Sequence, residues 1–286
     1  MKIALIGADG QLGSDLLKTL KDLDLAPLYY PEFDITEVLE MNAVLAALSP
    51  DIVINTAAYH KVDECEDNPQ RAFAVNAVAV RELALTCKKL NAVLVHFSTD
   101  YVFDGKKGSP YVEDDVPNPL NAYAVSKMAG ECFVRNTLER YYLIRTCGLY
   151  GVAGCWGKGT NFVDTVLELK RRGKAISVVN DQWVTPTSTS ELAHKIRELI
   201  QTEQFGLYHL TNEGKCTWHE FAQAIFSLMN LPVSIKSVDS ATYGAKARRP
   251  AFSVLENKRA KRIGLSPFSN WKDALATYLR HKGHIS

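Results

Sequence analysis

A chain of 286 residues, 47% apolar and 23% charged, can bury one large core or two modest ones, and its length favours two lobes. Its formal net charge of +1 excludes the concentrated basic surface that an electrostatic nucleic-acid binder needs, so small molecules are the expected partners. The six cysteines (Cys65, Cys87, Cys132, Cys147, Cys155 and Cys216) form no C-x-x-C pair and no metal-ligand spacing, which points to reduced thiols in a cytoplasmic protein.

The chain opens on Ile3-Ala4-Leu5-Ile6, too short for a signal-peptide core or a membrane span, so no membrane partner is expected. Lys2 to Ile6 reads as a first buried strand. It runs into Gly7-Ala8-Asp9-Gly10-Gln11-Leu12-Gly13, which opens a helix predicted from Leu12 to Lys21. Glycines between a first strand and a first helix permit a tight turn, and they let backbone N–H groups approach a pyrophosphate that the helix dipole also attracts. The loop is therefore a candidate dinucleotide site.

A second strand is predicted over Ala26 to Tyr30. Glu32 follows it and could take ribose hydroxyls, and no arginine stands there for a 2′-phosphate, so the choice between NADH and NADPH stays open. A helix is expected from Glu37 to Leu48, a strand from Asp51 to Asn55, a helix from Gln70 to Leu90, and a strand from Ala92 to Phe97. His96 lies inside that last apolar run and reads as a core residue. The strand ends in Ser98-Thr99-Asp100, where Thr99 can donate a hydrogen bond to a substrate oxygen; Tyr101 and Phe103 read as packing.

The next helix, Asn121 to Asn136, carries Tyr123 and Lys127. Four residues apart on a helix, they share one face, and a nearby ammonium favours phenolate, bringing a tyrosine within reach of proton exchange at neutral pH. With Thr99 this makes a carbonyl reductase site. A strand at Tyr142 to Arg145 closes the first half, whose alternation implies an α/β fold with a doubly wound parallel sheet.

Beyond residue 150 helices are expected over Phe162 to Arg171, Ser190 to Gln201 and Thr217 to Met229, with a strand at Leu207 to Leu210. From Pro232 on the chain reads as loop-rich and basic. The expected division is a dinucleotide-binding domain over 1–150, completed by parts of 176–215, and a smaller, mainly substrate-binding lobe over 151–286.

The glycine loop, Ser98-Thr99-Asp100-Tyr101-Val102-Phe103-Asp104-Gly105 and Tyr123-x-x-x-Lys127, in this order, resemble the extended short-chain dehydrogenase/reductases, and within them the dTDP-4-dehydrorhamnose reductases. The likeness covers nearly the whole chain. It takes in Phe33-Asp34-Ile35-Thr36, Asn55-Thr56-Ala57-Ala58-Tyr59, Val62-Asp63, Glu113 and Pro119-Leu120-Asn121-Ala122-Tyr123. Further on it includes Arg145-Thr146, Leu149-Tyr150-Gly151, Asn161-Phe162, Asp181-Gln182, Pro186-Thr187, Arg248-Arg249-Pro250 and Ser253.

The resemblance implies a Rossmann-type domain and reduction of the 4-keto group of a dTDP-linked 6-deoxy-hexulose by NADPH or NADH, giving dTDP-L-rhamnose. In that reading Tyr123 donates the proton, Lys127 lowers its pKa and holds the nicotinamide ribose, and Thr99 orients the keto oxygen. Gly7, Gly10, Gln11, Leu12 and Gly13 would line the pyrophosphate, Asp34 and Ile35 the adenine, and Ala57, Ala58, Tyr59 and His60 the cofactor cleft. Thr99, Asp100, Asn161 and Arg249 would contact substrate, the last through the nucleotide diphosphate.

Two departures from the family pattern stand out. Many relatives place a substrate-stacking tryptophan after R-T-x, where this chain has Gly148. Some members bind magnesium at a dimer interface; Asp15 and Glu191 match two ligand positions, but Leu279-Arg280-His281-Lys282-Gly283-His284 supplies no third acid, so no metal is expected and a homodimer is left open. The competing readings are a non-catalytic dinucleotide-binding regulatory subunit and a nucleotide-sugar epimerase or dehydratase.

Overall fold

The computed structural model describes residues 1–154 and 159–285. Its main sheet is built from β1 (Lys2–Ile6), β2 (Asp24–Leu28), β3 (Ile52–Asn55), β4 (Val93–Thr99), β5 (Tyr141–Thr146) and β6 (Gly206–His209), all parallel, in the order β6-β5-β4-β3-β1-β2. Every residue of β3 and β4 is buried, as expected of strands covered on both faces. Pro27 is tolerated because β2 is an edge strand. The second strand begins and ends two residues earlier than the apolar run suggests, because the chain turns after Leu28: the Leu28 carbonyl accepts from Gly7 and Ala8, and Tyr29 O accepts from Phe33 N.

The helices that matter are α1 (Gln11–Thr19), α2 (Val38–Leu48), α3 (Ala79–Leu90), α4 (Ala122–Thr137), α5 (Phe162–Arg171), α6 (Thr189–Leu199), α7 (Trp218–Leu228) and α8 (Trp271–His281). On one face of the sheet, Leu12 and Leu16 of α1 pack with Leu192, Ile196 and Leu199 of α6. On the other, Met41 and Leu45 of α2, Val80 and Leu83 of α3, and Val134 of α4 form a second core. A third core, with Tyr150, Val166, Ile176, Phe221, Trp271 and Tyr278, builds the smaller lobe. Strand β6 and helix α6, drawn from the second half of the chain, join the main sheet and the core that covers one of its faces.

Two expectations need correction. The helix predicted over Gln70 to Leu90 is interrupted: Pro69–Phe73 is followed by a π-helical turn, Ala74–Val78, before α3. From within that turn the Asn76 side chain bonds the backbone of Tyr59. The basic tail is also less loop-like than it reads, since Ile235–Val238 pairs with Ile176–Val179 and α8 buries Trp271, Ala274, Leu275, Tyr278 and Leu279. That spacing is one apolar helix face; the lysines and arginines around it mask the pattern.

Candidate active site

The sheet order reverses between β1 and β3, and in open parallel sheets that switch point opens a crevice at the carboxyl ends of the strands. The glycine loop lies there. Gly7 has φ +74°, and a Cβ on it would stand 2.6 Å from Thr56 Oγ1; a Cβ on Gly13 would stand 2.1 Å from Gly7 O. Gly10 precedes α1 with no side-chain cap, so the first-turn N–H groups of Gln11 and Leu12 are left for a ligand. This bare-backbone cradle fits a pyrophosphate. The Gln11 side chain turns elsewhere, its Oε1 accepting from Gly151 N (2.9 Å) and Asn161 Nδ2 (3.2 Å), and so ties the loop to the smaller lobe.

Nearby, Asp34 Oδ1 accepts from the Thr36 N–H and hydroxyl, both at 2.8 Å, shaping the turn after β2, while Ile35 is buried in the second core. After β3, Ala57 N donates to Asn55 Oδ1 (3.0 Å), and His60 Nδ1 lies 3.3 Å from Ala58 O. Tyr59 is gripped by Asn76, which accepts from its N–H and donates to its carbonyl, both at 2.9 Å, and also donates to Ser126 Oγ on α4 at 3.0 Å. Sequence reasoning passed over Asn76; the available signal was a lone amide in the apolar run Ala72 to Val80.

At the end of β4, Ser98, Thr99 and Asp100 are all buried. The Thr99 hydroxyl donates to Asp100 Oδ1 (3.0 Å) and accepts from Tyr101 N (3.1 Å). Asn121 caps α4 by accepting from Ala124 N (2.8 Å) and donates to Arg248 O (2.8 Å), which sets Tyr123 in the first turn of the helix beside the β4 terminus. The Tyr123 ring meets Tyr101 edge-on, centroids 6.5 Å apart.

Burial, helped by the Asp100 charge, holds the Tyr123 phenol above its ordinary pKa, while the Thr99 hydroxyl pulls it down. Burial lowers Lys127 to about 8, opposed by Glu131. Its Nζ lies 3.5 Å from His96 Nε2. Burial also pushes Asp100 up to about 6, against Ser253, Cys147 and Thr99. Asp100 Oδ2, Thr146 Oγ1 and Ser253 Oγ are buried without a hydrogen bond of good geometry, a concentration of polar atoms that suits a ligand-binding pocket.

Beneath these groups Glu131 accepts two bonds from Arg145, Nε–Oε1 at 3.0 Å and Nη2–Oε2 at 2.7 Å, and a third from Ser98. This buried pair joins α4, β4 and β5, the three elements that carry Tyr123, Thr99 and Thr146. Arg249 forms a two-pronged pair with Asp63 (2.8 and 3.2 Å), and Gly105, at φ +78°, lets the backbone of Ala251 and Phe252 pass close by.

Other expected positions have occupations within the protein. Asn161 is buried, capping α5 through Asp164 N (3.0 Å) and donating to Gln11 and Gly151. Asp15 accepts from Lys18 (3.0 Å) and Thr189 (2.6 Å); Glu191 accepts from Asn212 (3.0 Å) and from the Ser269 N–H and hydroxyl. Among the described residues no group of three or more His, Cys, Asp or Glu is arranged to hold a metal ion. At φ +53°, Gly148 faces Trp218, whose Cη2 lies 3.1 Å from where a Cβ would stand, so an indole of α7 fills the space above it. Cys65, Cys87, Cys132, Cys147 and Cys216 are free thiols, and Cys155 lies outside the described residues. Among the described residues no helix is long and apolar enough to cross a membrane.

The family model for the RmlD substrate binding domain matches residues 1–283. The spore coat polysaccharide biosynthesis protein SpsK of Bacillus subtilis is 37% identical over 283 residues, covering 98% of this chain and 98% of that protein. A dTDP-4-dehydrorhamnose reductase of Streptomyces griseus is 37% identical over 278 residues, covering 94% of this chain and 90% of that protein. The crystal structure of dTDP-4-dehydrorhamnose reductase from Bacillus anthracis in complex with NADP aligns with a TM-score of 0.93 at 36% identity, over 98% of this chain and 100% of the other. Likeness of sequence and backbone thus runs through both lobes, and the chain belongs to the dTDP-4-dehydrorhamnose reductase family.

Proposed function

We propose that the chain reduces the 4-keto group of a dTDP-linked 6-deoxy-hexulose, dTDP-4-dehydro-L-rhamnose to dTDP-L-rhamnose, with NADPH or NADH. The observation that carries this reading is Tyr123 beside Thr99 at the carboxyl end of β4, with Lys127 one helical turn further along α4 and facing His96 of the same strand, on the same edge of the sheet as the glycine cradle.

The nicotinamide, when bound, supplies the hydride. Gly7, Gly10, Gln11, Leu12 and Gly13 hold the pyrophosphate, Asp34 and Ile35 flank the adenine, and Ala57, Ala58, Tyr59 and His60 line the cleft. Thr99 donates a hydrogen bond to the keto oxygen and holds it against Tyr123. The phenol gives its proton to that oxygen as negative charge develops there, and the Lys127 ammonium stabilises the tyrosinate that remains. Lys127 also takes the nicotinamide ribose. Asp100 borders the sugar, and Arg249, steadied by Asp63, presents a guanidinium suited to the nucleotide diphosphate. Asn161 supports the pocket from behind through Gln11 and Gly151.

The test offers enzymatically prepared dTDP-4-dehydro-6-deoxy-L-hexulose with NADH and NADPH in parallel, following nicotinamide absorbance and identifying the sugar formed. Oxidation of cofactor with formation of dTDP-L-rhamnose is expected. Absence of oxidation with every 4-keto sugar nucleotide would favour a regulatory subunit, and an isomerised or dehydrated sugar without net oxidation would favour an epimerase or dehydratase.

A further inference from the structure

His96, read from the sequence as core, has a different partner at each ring nitrogen. It is fully buried on β4, directly across from Asn55 on β3. Asn55 Oδ1 accepts the Ala57 N–H at 3.0 Å, which orients the amide so that its NH2 faces His96 Nδ1 at 3.3 Å. An amide NH2 only donates, so Nδ1 accepts and the neutral ring carries its proton on Nε2. That N–H points at Lys127 Nζ, 3.5 Å away. An ammonium there would set donor against donor, whereas a neutral amine would offer its lone pair to the ring.

We propose that His96 is a positioning residue that sets the proton affinity of Lys127, its Nε2–H favouring the neutral amine in the ligand-free site. The surroundings of Lys127 frame the effect. On its own helix Tyr123 lies one turn before it and Glu131 one turn after; Glu131 favours the ammonium, with its carboxylate already committed to Arg145 and Ser98. From β4 it meets His96, and behind His96 stands the uncharged Asn55 of β3. Burial keeps the imidazole itself neutral, holding its pKa well below the ordinary value, with Lys127 acting in the same direction. The ring therefore acts as a fixed dipole and not as a second titrating charge. A ribose or tyrosinate oxygen that arrives to accept from Nζ works against this dipole and favours the ammonium, the proton coming from solvent. That last consequence rests on the proposed reductase role; the effect on the free protein does not.

The experiment is an NMR titration of the Lys127 side chain in the ligand-free protein, with 13C-labelled lysine and the resonance assigned by its loss in Lys127→Met. A parent midpoint well below that of an exposed lysine is expected, since burial alone already lowers it and His96 adds to that effect. His96→Leu, which keeps bulk and removes the N–H, should raise it by about one unit or more. His96→Gln, whose carbonyl can accept from Asn55 while its NH2 faces Lys127, should hold the midpoint near the parent value. A folded leucine variant with an unchanged midpoint, or leucine and glutamine variants that shift equally, overturns the proposal. If the leucine variant does not fold, His96→Met carries the same expectation. Since neither cofactor nor substrate is present, the result stands apart from whether the chain reduces a sugar. In an active enzyme the alkaline limb of kcat/KM should follow the same order of variants.

Discussion

A Cβ on Gly130 would stand 2.3 Å from the carbonyl oxygen of Asn76, so the helix bearing Tyr123 and Lys127 meets the π-helical turn backbone to backbone. The contact holds α4 against the segment that grips Tyr59, and it leaves no room for a methyl group. Gly130→Ala should cost roughly 1–3 kcal/mol through overpacking and should lower turnover by moving Tyr123. Urea unfolding and steady-state rates check this; a variant as stable and active as the parent would show that the turn yields freely.

Replacing the proposed proton donor isolates chemistry from binding. Tyr123→Phe removes one hydroxyl and keeps the ring against Tyr101. NADPH affinity by fluorescence should be preserved while kcat falls about 10²- to 10⁴-fold. Near-parental turnover would remove Tyr123 from that role.

The glycine cradle makes a third expectation. With Gly7 O 2.1 Å from the position of a Cβ on Gly13, Gly13→Ala must displace the loop or the first turn of α1. Dinucleotide affinity should weaken by about tenfold or more, equivalent to ~1.4 kcal/mol, and calorimetric titration with NADPH and NADH measures it. Unaltered affinity would place the pyrophosphate elsewhere.

Asp100 links the site to stability. Burial raises its pKa to about 6 in the fold, above the ordinary carboxylate value of 3.8. The native state therefore binds more protons than the unfolded chain between those values, and this group's contribution to stability falls as pH rises through that window. Asp100→Asn should flatten the decline in melting temperature between pH ~4 and ~6 relative to the parent, and should be the more favourable side chain at neutral pH. Parallel melting curves of parent and variant across that range would contradict the assigned burial effect.

Much of the molecule was legible in the chain itself, because local patterns carry local causes. Apolar runs of four to seven residues alternating with helical spacing dictate a parallel sheet, since only covered strands are apolar on both faces. The glycines after β1, the hydroxyl and carboxylate after β4, and Tyr123 with Lys127 one turn apart could be placed on one edge of that sheet from connectivity alone. Tertiary structure decided what no spacing encodes. It put His96 against Lys127 and Asn76 against Tyr59, sent the Gln11 side chain across to Gly151 and Asn161, and laid Trp218 over Gly148. Each of these joins residues 17 or more positions apart. Their partners are selected by the packing of whole elements, and burial then turns an ordinary histidine, lysine or aspartate into a group with an altered proton affinity.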